Sequence, residues 1–366
     1  PTRASRPRLR HATGAALLTV VSLLAGLVAT VPAADARSVG APEPAATANG
    51  LLAFDSELNG GFEEIWLANA TDGTHVRLTT EGGWYPAWSP DGQDIAFVVA
   101  RGLASPDVYR IHADGTGLEA LTSNAVAEYG PDWSPDGTRI VYERVDPETN
   151  ASEIWVMQAD GTGKTRLTDD PANDSAPAFS PDGTKIAFAS DRDGAGFDVY
   201  VMDADGGNVT RLTDAAGDDF GPDWSPDGAT IAFSTDRGAG TFDLFTMTAE
   251  GAAQTRLTLA DGTDELAPAW SPDGTQLALV LAQPGGARRV AVVDADGSDL
   301  TPLTPDDFIL GVDWQPVAVA DTVDPTVTIT RPATTGRVFE RSTAPVPQFT
   351  CTDTAPGTGI RSCRAD

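Results

Sequence analysis

Short apolar runs recur along the chain at regular intervals and are separated by polar turns. One unit contains Ile186-Ala187-Phe188, a polar loop, Val199-Tyr200-Val201-Met202, an Asp-Gly turn and Arg211-Leu212-Thr213. Short runs of this composition, bounded by Gly, Pro and Asp, are typical of β-strands. With one more strand that ends in an aromatic residue, the pattern predicts units of four antiparallel strands.

A turn block punctuates these units. It reads Pro-Ala-Trp-Ser-Pro-Asp-Gly at 86–92. Similar copies follow at 131–137, 177–183, 222–228 and 268–274, and a degenerate copy lies at 312–316. Its second Pro presets the backbone angle of a type I turn, and its Gly accepts a left-handed conformation. The aromatic residues of the copies recur every 44 to 46 residues: Trp88, Trp133, Phe179, Trp224, Trp270 and Trp314. A four-stranded unit that repeats about every 45 residues is typical of a propeller blade.

The two ends of the repeat region complement each other. The runs at 51–54, 65–67 and 77–79 correspond to the second, third and fourth strands of a unit, and 312–315 corresponds to an unaccompanied first strand. We therefore predict an all-β fold, a six-bladed β-propeller over residues 50–316, closed by strand sharing between the two ends. Closure removes the exposed sheet edges that promote aggregation.

The aromatic residues of the turn blocks allow two interpretations. A ladder of one ring per blade is a pattern that could stack on sugars. A ring that sits in the same strand of every blade is better suited to packing between neighbouring blades, where burial of 150–250 Å² of aromatic surface contributes several kcal/mol. We favour the packing role.

The repeats resemble those of the C-terminal domain of TolB and related WD-repeat-like proteins. The resemblance covers residues 50–316 and rests on the Trp-Ser-Pro-Asp-Gly block, the Ile-Ala-Phe strand, the Ser190–Gly194 loop and the Arg-Leu-Thr ending. It implies a six-bladed propeller. Members of this repeat class serve as periplasmic protein-binding scaffolds and as lid domains of some serine peptidases.

The first residues have the pattern of an export signal. A basic stretch at 3–10 precedes an apolar run at 12–31, and Ala34-Asp35-Ala36 supplies small residues for cleavage. We predict a signal peptide over residues 1–36, a linker over 37–49, and a protein that is secreted or associated with the cell surface. An uncleaved anchor is the alternative, since about 20 apolar residues can span a bilayer.

The tail resembles the start of a bacterial immunoglobulin-like domain. After a linker at 317–324, residues 325–366 include the alternating run Val327-Thr328-Ile329-Thr330 and the chain's two cysteines, Cys351 and Cys363. We expect these cysteines to form a disulfide, which persists on the exported side of a membrane. The segment is shorter than the roughly 100 residues of such a sandwich, so we expect a longer natural chain.

Charge and composition narrow the function. The formal net charge is -29, which disfavours nucleic acid and anionic membrane surfaces. Beyond the predicted signal the histidines are His75 and His112, in unmatched blades, and Gly-x-Ser-x-Gly is absent. We therefore predict a binding protein without catalytic residues or cofactor. A polysaccharide lyase or hydrolase built on the propeller, and a structural spacer of a larger surface protein, are the alternatives.

One face of the predicted propeller carries longer, acidic loops. These loops join the second and third strands of each blade and link successive blades, and aromatic residues lie among their carboxylates. We predict that this face binds a protein, peptide or glycan of the cell envelope, and that the chain is monomeric; the alternative is a set of ordinary solvated loops. The predicted contact residues are Trp84, Tyr85, Tyr129, Phe220, Phe308, Asp174, Asp219 and Asp264.

A cation site is a second hypothesis. Asp191, Asp193 and Asp198 bring several carboxylates into one short loop, and Ca²⁺ takes six to eight oxygen ligands of this kind. Turn chemistry explains Asp-Gly sequences equally well. Asp also precedes the aromatic residue in every second blade, as Asp132, Asp223 and Asp313. The sequence leaves open whether these three face the central channel.

Overall fold

The computed structural model describes residues 49–58, 63–100, 105–194, 196–237, 240–258 and 262–316, together with the strands 326–330 and 348–352. The chain divides into two units, Pro1–Val317 and Ala318–Asp366. In the described part of the first unit every regular element is a β-strand. None of the described residues lies in a helix long and apolar enough to cross a membrane.

The first unit consists of six four-stranded antiparallel sheets. Numbered along the chain, the strands are β1 (Leu51–Ser56), β2 (Glu64–Asn69), β3 (His75–Arg77), β4 (Trp84–Trp88), β5 (Asp94–Val99), β6 (Asp107–His112), β7 (Glu119–Ala120), β8 (Glu128–Trp133), β9 (Arg139–Val145), β10 (Ser152–Gln158), β11 (Thr165–Arg166), β12 (Asp174–Phe179), β13 (Lys185–Ser190), β14 (Asp198–Asp203), β15 (Thr210–Arg211), β16 (Asp219–Trp224), β17 (Thr230–Thr235), β18 (Asp243–Thr248), β19 (Thr255–Arg256), β20 (Asp264–Trp270), β21 (Gln276–Ala282), β22 (Arg288–Asp294), β23 (Thr301–Pro302) and β24 (Val312–Trp314). Blade 1 comprises β4–β7, blade 2 β8–β11, blade 3 β12–β15, blade 4 β16–β19 and blade 5 β20–β23, whereas blade 6 combines β24 with β1–β3. The all-β, six-bladed prediction is confirmed.

Blade 6 joins the two ends of the repeat region. Its first strand, β24, pairs antiparallel with β1 in the register Leu52 with Trp314 and Phe54 with Val312. Beyond the last paired residue, the Gln315 amide donates to the Leu51 carbonyl at 2.7 Å. The Leu51 amide donates in return to the Gln315 side chain at 3.2 Å. Main-chain and side-chain hydrogen bonds thus connect residues separated by most of the propeller.

The aromatic residue of each turn block ends the first strand of its blade and packs into a seam between blades. Trp88 shares a buried cluster with Ile95 and Phe97 of its own blade and with Leu51 and Leu67 of blade 6. Equivalent clusters contain Trp133, Phe179, Trp224 and Trp314, and Trp270 packs against the cluster of the blade 4–5 seam. The predicted packing role is confirmed.

The Leu-Thr ending of each repeat also has a structural task. The buried hydroxyl of Thr213 accepts the main-chain N–H of Val199 at 2.9 Å, which ties the end of strand four to the start of strand three. The same bond occurs in all six blades, at Thr79, Thr122, Thr168, Thr213, Thr258 and Thr304. The Thr hydroxyl stabilises the fold because the buried main-chain N–H of strand three would otherwise lack an acceptor, which lowers the free energy of unfolding.

The first strands of blades 1 to 5 each contain a bulge. The register shifts in the middle of each, where a left-handed residue precedes proline. A bulge bends the strand and redirects its side chains, and proline is tolerated there because it has no N–H for the ladder. The left-handed residues have φ of 49° to 61° and are Tyr85, Gly130, Ala176, Gly221 and Ala267.

The second unit contributes one described strand pair. β25 (Thr326–Thr330) and β26 (Gln348–Thr352) are antiparallel, with Val327 opposite Cys351. The predicted partner Cys363, the signal peptide at 1–36 and the linker at 317–324 lie outside the described residues, as does the linker at 37–49 except for its last residue. The immunoglobulin-like assignment therefore remains a prediction.

Candidate functional site

The antiparallel order of each blade gives the propeller two distinct faces. The first strand runs toward the Ser-Pro-Asp-Gly turn, and the Asp-Gly turn two strands later lies on the same side. We call this side the turn face. The opposite side, the loop face, carries the connections between strands two and three and between blades. All eight residues predicted to contact a partner lie toward the loop face.

Two of the predicted contact acids are buried in ion pairs instead. Asp174 is 0% exposed and receives both hydrogen bonds from one terminal nitrogen of Arg192, at 2.9 Å each. Asp219 is likewise 0% exposed and pairs with Arg237 at 2.5 Å. Burial raises the pKa of Asp174, and the Arg192 charge opposes that shift. The prediction was wrong for these two acids, because contact with a partner would require breaking a buried pair.

Three other residues predicted to contact a partner are half-buried and lie apart from one another on the loop face: Asp264, Phe220 and Phe308. Asp264 accepts the amide of Phe242 at 2.9 Å, so its carboxylate orders the neighbouring loop. Phe220 packs edge-on against Phe197, with ring centroids 5.4 Å apart. Phe308 lies beneath the guanidinium of Arg288 at 5.3 Å from the ring centroid. Each has an intramolecular partner and a partly exposed surface.

Tyr85 and Tyr129 lie within electrostatic range of each other, in a region that we call the inner loop face and that also includes Asp55 and Glu143. Half-buried Trp84 precedes Tyr85 directly. Tyr85 adopts φ of 52°, and the negative charges of Asp55 and Glu143 act on its phenol together with neighbouring Tyr129. Burial raises the pKa of Tyr129 to about 12 and that of Tyr85 still further. Both phenols therefore remain neutral hydrogen-bond donors at physiological pH.

Two acids missed by the sequence analysis support this aromatic pair. Asp55 is buried and accepts the amides of Leu310 at 2.7 Å and Gly311 at 2.8 Å. Burial raises its pKa to about 7 despite those bonds. Glu143 accepts the Ser152 hydroxyl at 2.6 Å, and burial raises its pKa to about 6. The inner loop face thus combines neutral phenols with carboxyl groups that titrate near neutrality.

The proposed calcium ligands have partners within the protein. Asp191 accepts both the main-chain and the side-chain N–H of Asn173, at 2.7 and 2.9 Å. Arg211 pairs with Asp193 at 2.9 Å and with Asp198 at 2.6 Å. Within the described ranges, no three His, Cys, Asp or Glu side chains are grouped to hold a metal ion. The structure therefore contradicts the calcium hypothesis for this loop, because a guanidinium neutralises two of its three carboxylates.

The other end of the channel, on the turn face, opens into a cavity of about 190 Å³. Asp132, Asp223 and Asp313 line it, so the three alternate acids do face the channel. Each accepts the amide of the aromatic residue in the next blade at 2.7 Å: Phe179, Trp270 and Trp88, respectively. Burial raises the pKa of Asp223 and Asp313 to about 7 and also raises that of Asp132.

The alternation extends beyond these three acids. Blades 2, 4 and 6 have glycine three residues before their aromatic residue, at Gly130, Gly221 and Gly311, where the other blades have larger residues. Their second strands carry a polar residue at the fifth position, whereas the other blades have Val98, Ala189 or Val280 there. The polar residues are Asp55, Glu143 and Ser234. Comparison of every second repeat could therefore have marked these positions as distinct from the sequence, although it would not have given the direction of their side chains.

Comparison with known proteins agrees with this architecture. The family model for the N-terminal β-propeller domain of tricorn protease matches residues 148–242. An uncharacterised protein of Agrobacterium fabrum is 34% identical over 87 residues, which cover 23% of this chain and 29% of that relative. The Tol-Pal system protein TolB of Alcanivorax borkumensis is 34% identical over 67 residues, 18% of this chain and 15% of that protein. The chain thus matches less than a third of either relative's length.

Solved structures extend the match to the whole ring. TolB from Acinetobacter baumannii superposes with a TM-score of 0.61 at 22% identity, over 73% of this chain and 66% of that one. The fold is a TolB-like β-propeller. A puromycin hydrolase also superposes, with a TM-score of 0.52 at 19% identity, over 80% of this chain and 48% of the hydrolase. At identities this low the superpositions establish the TolB-like fold alone. The function has to be inferred from the geometry of the site.

Proposed function

We propose that this chain is an exported, non-catalytic scaffold that binds a protein, peptide or glycan of the cell envelope through the inner loop face. The observation that carries the proposal is that the partly buried phenols of Tyr85 and Tyr129 lie within electrostatic range of each other and of Asp55 and Glu143 on the loop face. Tyrosines provide apolar contact area and a hydrogen-bonding tip, which is why they are common at binding hot spots. The name of one relative, a Tol-Pal system protein, supports an envelope protein as the partner class.

Charge favours a basic partner segment. The net charge of -29 attracts cationic surfaces and accelerates their encounter with the propeller. The ion pairs of Arg192 with buried Asp174 and of Arg237 with buried Asp219 already hold the loops that follow β13 and β17, so we expect that binding need not order them. A rigid surface loses less conformational entropy on association.

The described histidines support a non-catalytic role. His75 contacts the Gly73 carbonyl at 2.9 Å and packs edge-on against Trp66, with ring centroids 5.6 Å apart. His112 is exposed and ends the third strand of blade 1, where it pairs with Asp94 at 2.5 Å. These contacts are local to blades 6 and 1, and neither histidine lines the channel cavity.

Capture from a cell-envelope extract tests the binding site. The Trp84→Ala and Tyr129→Ala double variant is expected to lose at least about 10-fold in captured partner, the effect of one hot-spot residue or more. Val209→Ala is the matched control, because Val209 is an exposed apolar residue next to outer strand β15. Equal capture by the double variant and the control would overturn the assignment.

Export is a separate part of the proposal. We expect the signal peptide at 1–36 to be removed, so that the exported chain begins at Arg37. N-terminal sequencing of the protein from the culture medium or envelope fraction checks this. A chain retained in the membrane with residues 12–31 attached would support an anchor instead.

The tail completes the proposal. We propose that residues 325–366 begin an immunoglobulin-like domain in which Cys351 and Cys363 are disulfide-bonded. Alkylation of the unfolded exported protein should add no label before reduction and two labels after it, since the sequence has two cysteines. Two labels without reduction would contradict the disulfide.

A further inference from the structure

A small cavity lies at the loop-face end of blade 2, away from the central channel. Arg144, Trp155 and Arg166 line it together with the start of the loop between β9 and β10, and we call it the blade 2 pocket. Its volume is about 80 Å³, room for several water molecules or for one carboxylate group with the carbon that carries it. All three side chains are partly exposed, so a solute can reach them.

Arg144 is held against an aromatic ring, but the end of its side chain is not neutralised. The guanidinium lies over the Trp155 ring at 4.6 Å from the centroid. Its one ion pair with the described residues is a 3.8 Å contact between Nε and buried Glu128. Both terminal nitrogens of Arg144 therefore lie without a carboxylate partner in the described part of the chain.

The equivalent arginines of blades 3 and 4 are arranged differently. Arg192 and Arg237 also lie over the aromatic residue of strand three, at 4.9 and 5.1 Å from the ring centroids. Their terminal nitrogens, however, hold the buried acid that begins strand one, at 2.9 and 2.5 Å. These two arginines follow strand two by two residues and fold back, whereas Arg144 lies within β9, directly opposite Glu128. Only Nε of Arg144 consequently comes near its acid, and the terminal nitrogens are left for the pocket.

The acids around the pocket are already occupied. Glu153 is held by Arg166, and Asp146 accepts two main-chain N–H groups of its own loop at 2.8 and 3.1 Å. Burial raises the pKa of Glu128, which makes it a weaker counter-ion for Arg144. One terminal nitrogen of Arg166 forms both of that residue's ion pairs, and the other forms none within the described ranges. The groups left over at the pocket are therefore positively charged hydrogen-bond donors.

These donors specify the class of ligand. A planar guanidinium matches the two oxygens of a carboxylate in a bidentate pair, and stacking on an aromatic ring keeps the guanidinium in place for it. The acids nearby repel a dianion such as sulfate more strongly than they repel a monovalent carboxylate. A single carboxylate thus fits the donors, the charge and the volume of the pocket.

We propose that the blade 2 pocket binds a monovalent carboxylate, as carried by a small aliphatic acid or by the C-terminal end of a peptide. The carboxylate oxygens accept from the terminal nitrogens of Arg144, and Arg166 adds a further donor. The carbon chain of the ligand contacts Val145 and Pro147, which also line the pocket. No residue of the inner loop face named above lines this pocket, so its test is independent of the proposed function.

Proton–nitrogen NMR spectra of the full chain, isotopically labelled at tryptophan, test the proposal, because the Trp155 indole signal reports on the Arg144 guanidinium above it. Trp155→Phe identifies that signal among those of the eight tryptophans. N-acetyl-L-alanine should shift it saturably, with an affinity at least about 10-fold higher than that of uncharged N-acetyl-L-alanine amide. Acetate at matched ionic strength should bind equally well if a free acid suffices, and more weakly if the ligand is a peptide end. The absence of a saturable shift, equal binding of the amide, or tighter binding of sulfate would overturn the proposal.

The Arg144→Lys variant assigns the site. Lysine keeps a positive charge beside Glu128 but cannot form the bidentate pair, so we expect about 10-fold weaker affinity for N-acetyl-L-alanine and little change in the unfolding midpoint. Arg77→Lys is the matched control, because Arg77 pairs with Glu64 at 3.3 Å in blade 6 and does not line the pocket. Wild-type affinity in Arg144→Lys, or an equal loss in Arg77→Lys, would refute this location.

Discussion

The ring of Tyr85 lies against Gly311 across the seam between blades 1 and 6. A methyl group at position 311 would stand 3.4 Å from a ring carbon of Tyr85 and 3.3 Å from its Cα. Glycine at this position therefore makes room for the one large side chain among the left-handed bulge residues. The contact also fixes Tyr85 relative to the strand that closes the propeller.

Gly311→Ala should lower the free energy of unfolding by about 1–3 kcal/mol, because the new methyl group crowds the Tyr85 backbone. Chemical denaturation measures the effect. Gly130→Ala is the comparison, since a Cβ there meets open space but the residue has φ of 50°. It should cost only about 1 kcal/mol of backbone strain. Wild-type stability in Gly311→Ala would show that the seam relaxes freely.

Thr213→Val should destabilise the protein by about 1–3 kcal/mol, because the buried amide of Val199 loses its acceptor. Thermal unfolding is the measurement. Thr210→Val, at an exposed position of the neighbouring strand β15, is the control and should change stability by less than about 0.5 kcal/mol. Equal effects of the two substitutions would refute the role assigned to the Leu-Thr ending.

Arg237→Gln should cost about 3–5 kcal/mol, because it leaves the Asp219 carboxylate buried without a counter-ion. The double variant Asp219→Asn with Arg237→Gln should recover most of that loss. Denaturation of both singles and the double gives the coupling energy. Additive effects would mean that Asp219 is hydrated and available to a partner after all. Asp306→Asn, in a pair whose acid is half-exposed, should cost at most about 1 kcal/mol.

Stability should fall as pH rises from about 4 to 7. Asp55, Asp223 and Asp313 have folded-state pKa values of about 7, above the unfolded value near 3.9. The folded state therefore binds more protons than the unfolded state in that window. The stabilisation from these protons is present in full below about pH 4 and is lost by about pH 7.

Unfolding midpoints measured from pH 5 to 8 test this dependence. The midpoint of the wild type should decrease over the range and level off above pH 7. Asp223→Asn should show a shallower decrease, because one of the titrating groups is removed. A wild-type midpoint that rises with pH over this range would contradict the assignment.

The ring of six blades follows from the sequence because the repeat is strictly periodic and its turn residues have a specific backbone requirement. The aromatic ladder could be assigned to packing for the same reason. Asp174 and Asp219 were misassigned because their burial depends on hairpin register. Each lies opposite the end of the next strand, and the arginine that follows that strand folds back onto it.

The inner acids were harder to assign than the blades. Asp55 occupies a position of β1 that the strand pattern assigns to the core. Its carboxylate accepts main-chain N–H groups from the bulge of β4 and from the segment before β24. The alternation of residues along a strand predicts on which side of the sheet each side chain lies. It does not predict a bulge, and a bulge changes the direction of the side chains that follow it. The direction of Asp132, Asp223 and Asp313 consequently became known only with the backbone.

The sharing of blade 6 between the two ends has a kinetic consequence. Its closing bonds join residues 264 positions apart in the chain, so this sheet cannot be completed until nearly the whole repeat region has been synthesised. Contacts of such long range slow folding, and β1 presents an unpaired edge until β24 arrives. Ring closure should therefore be the last and rate-limiting step of folding, and the stage at which the chain most needs protection from aggregation.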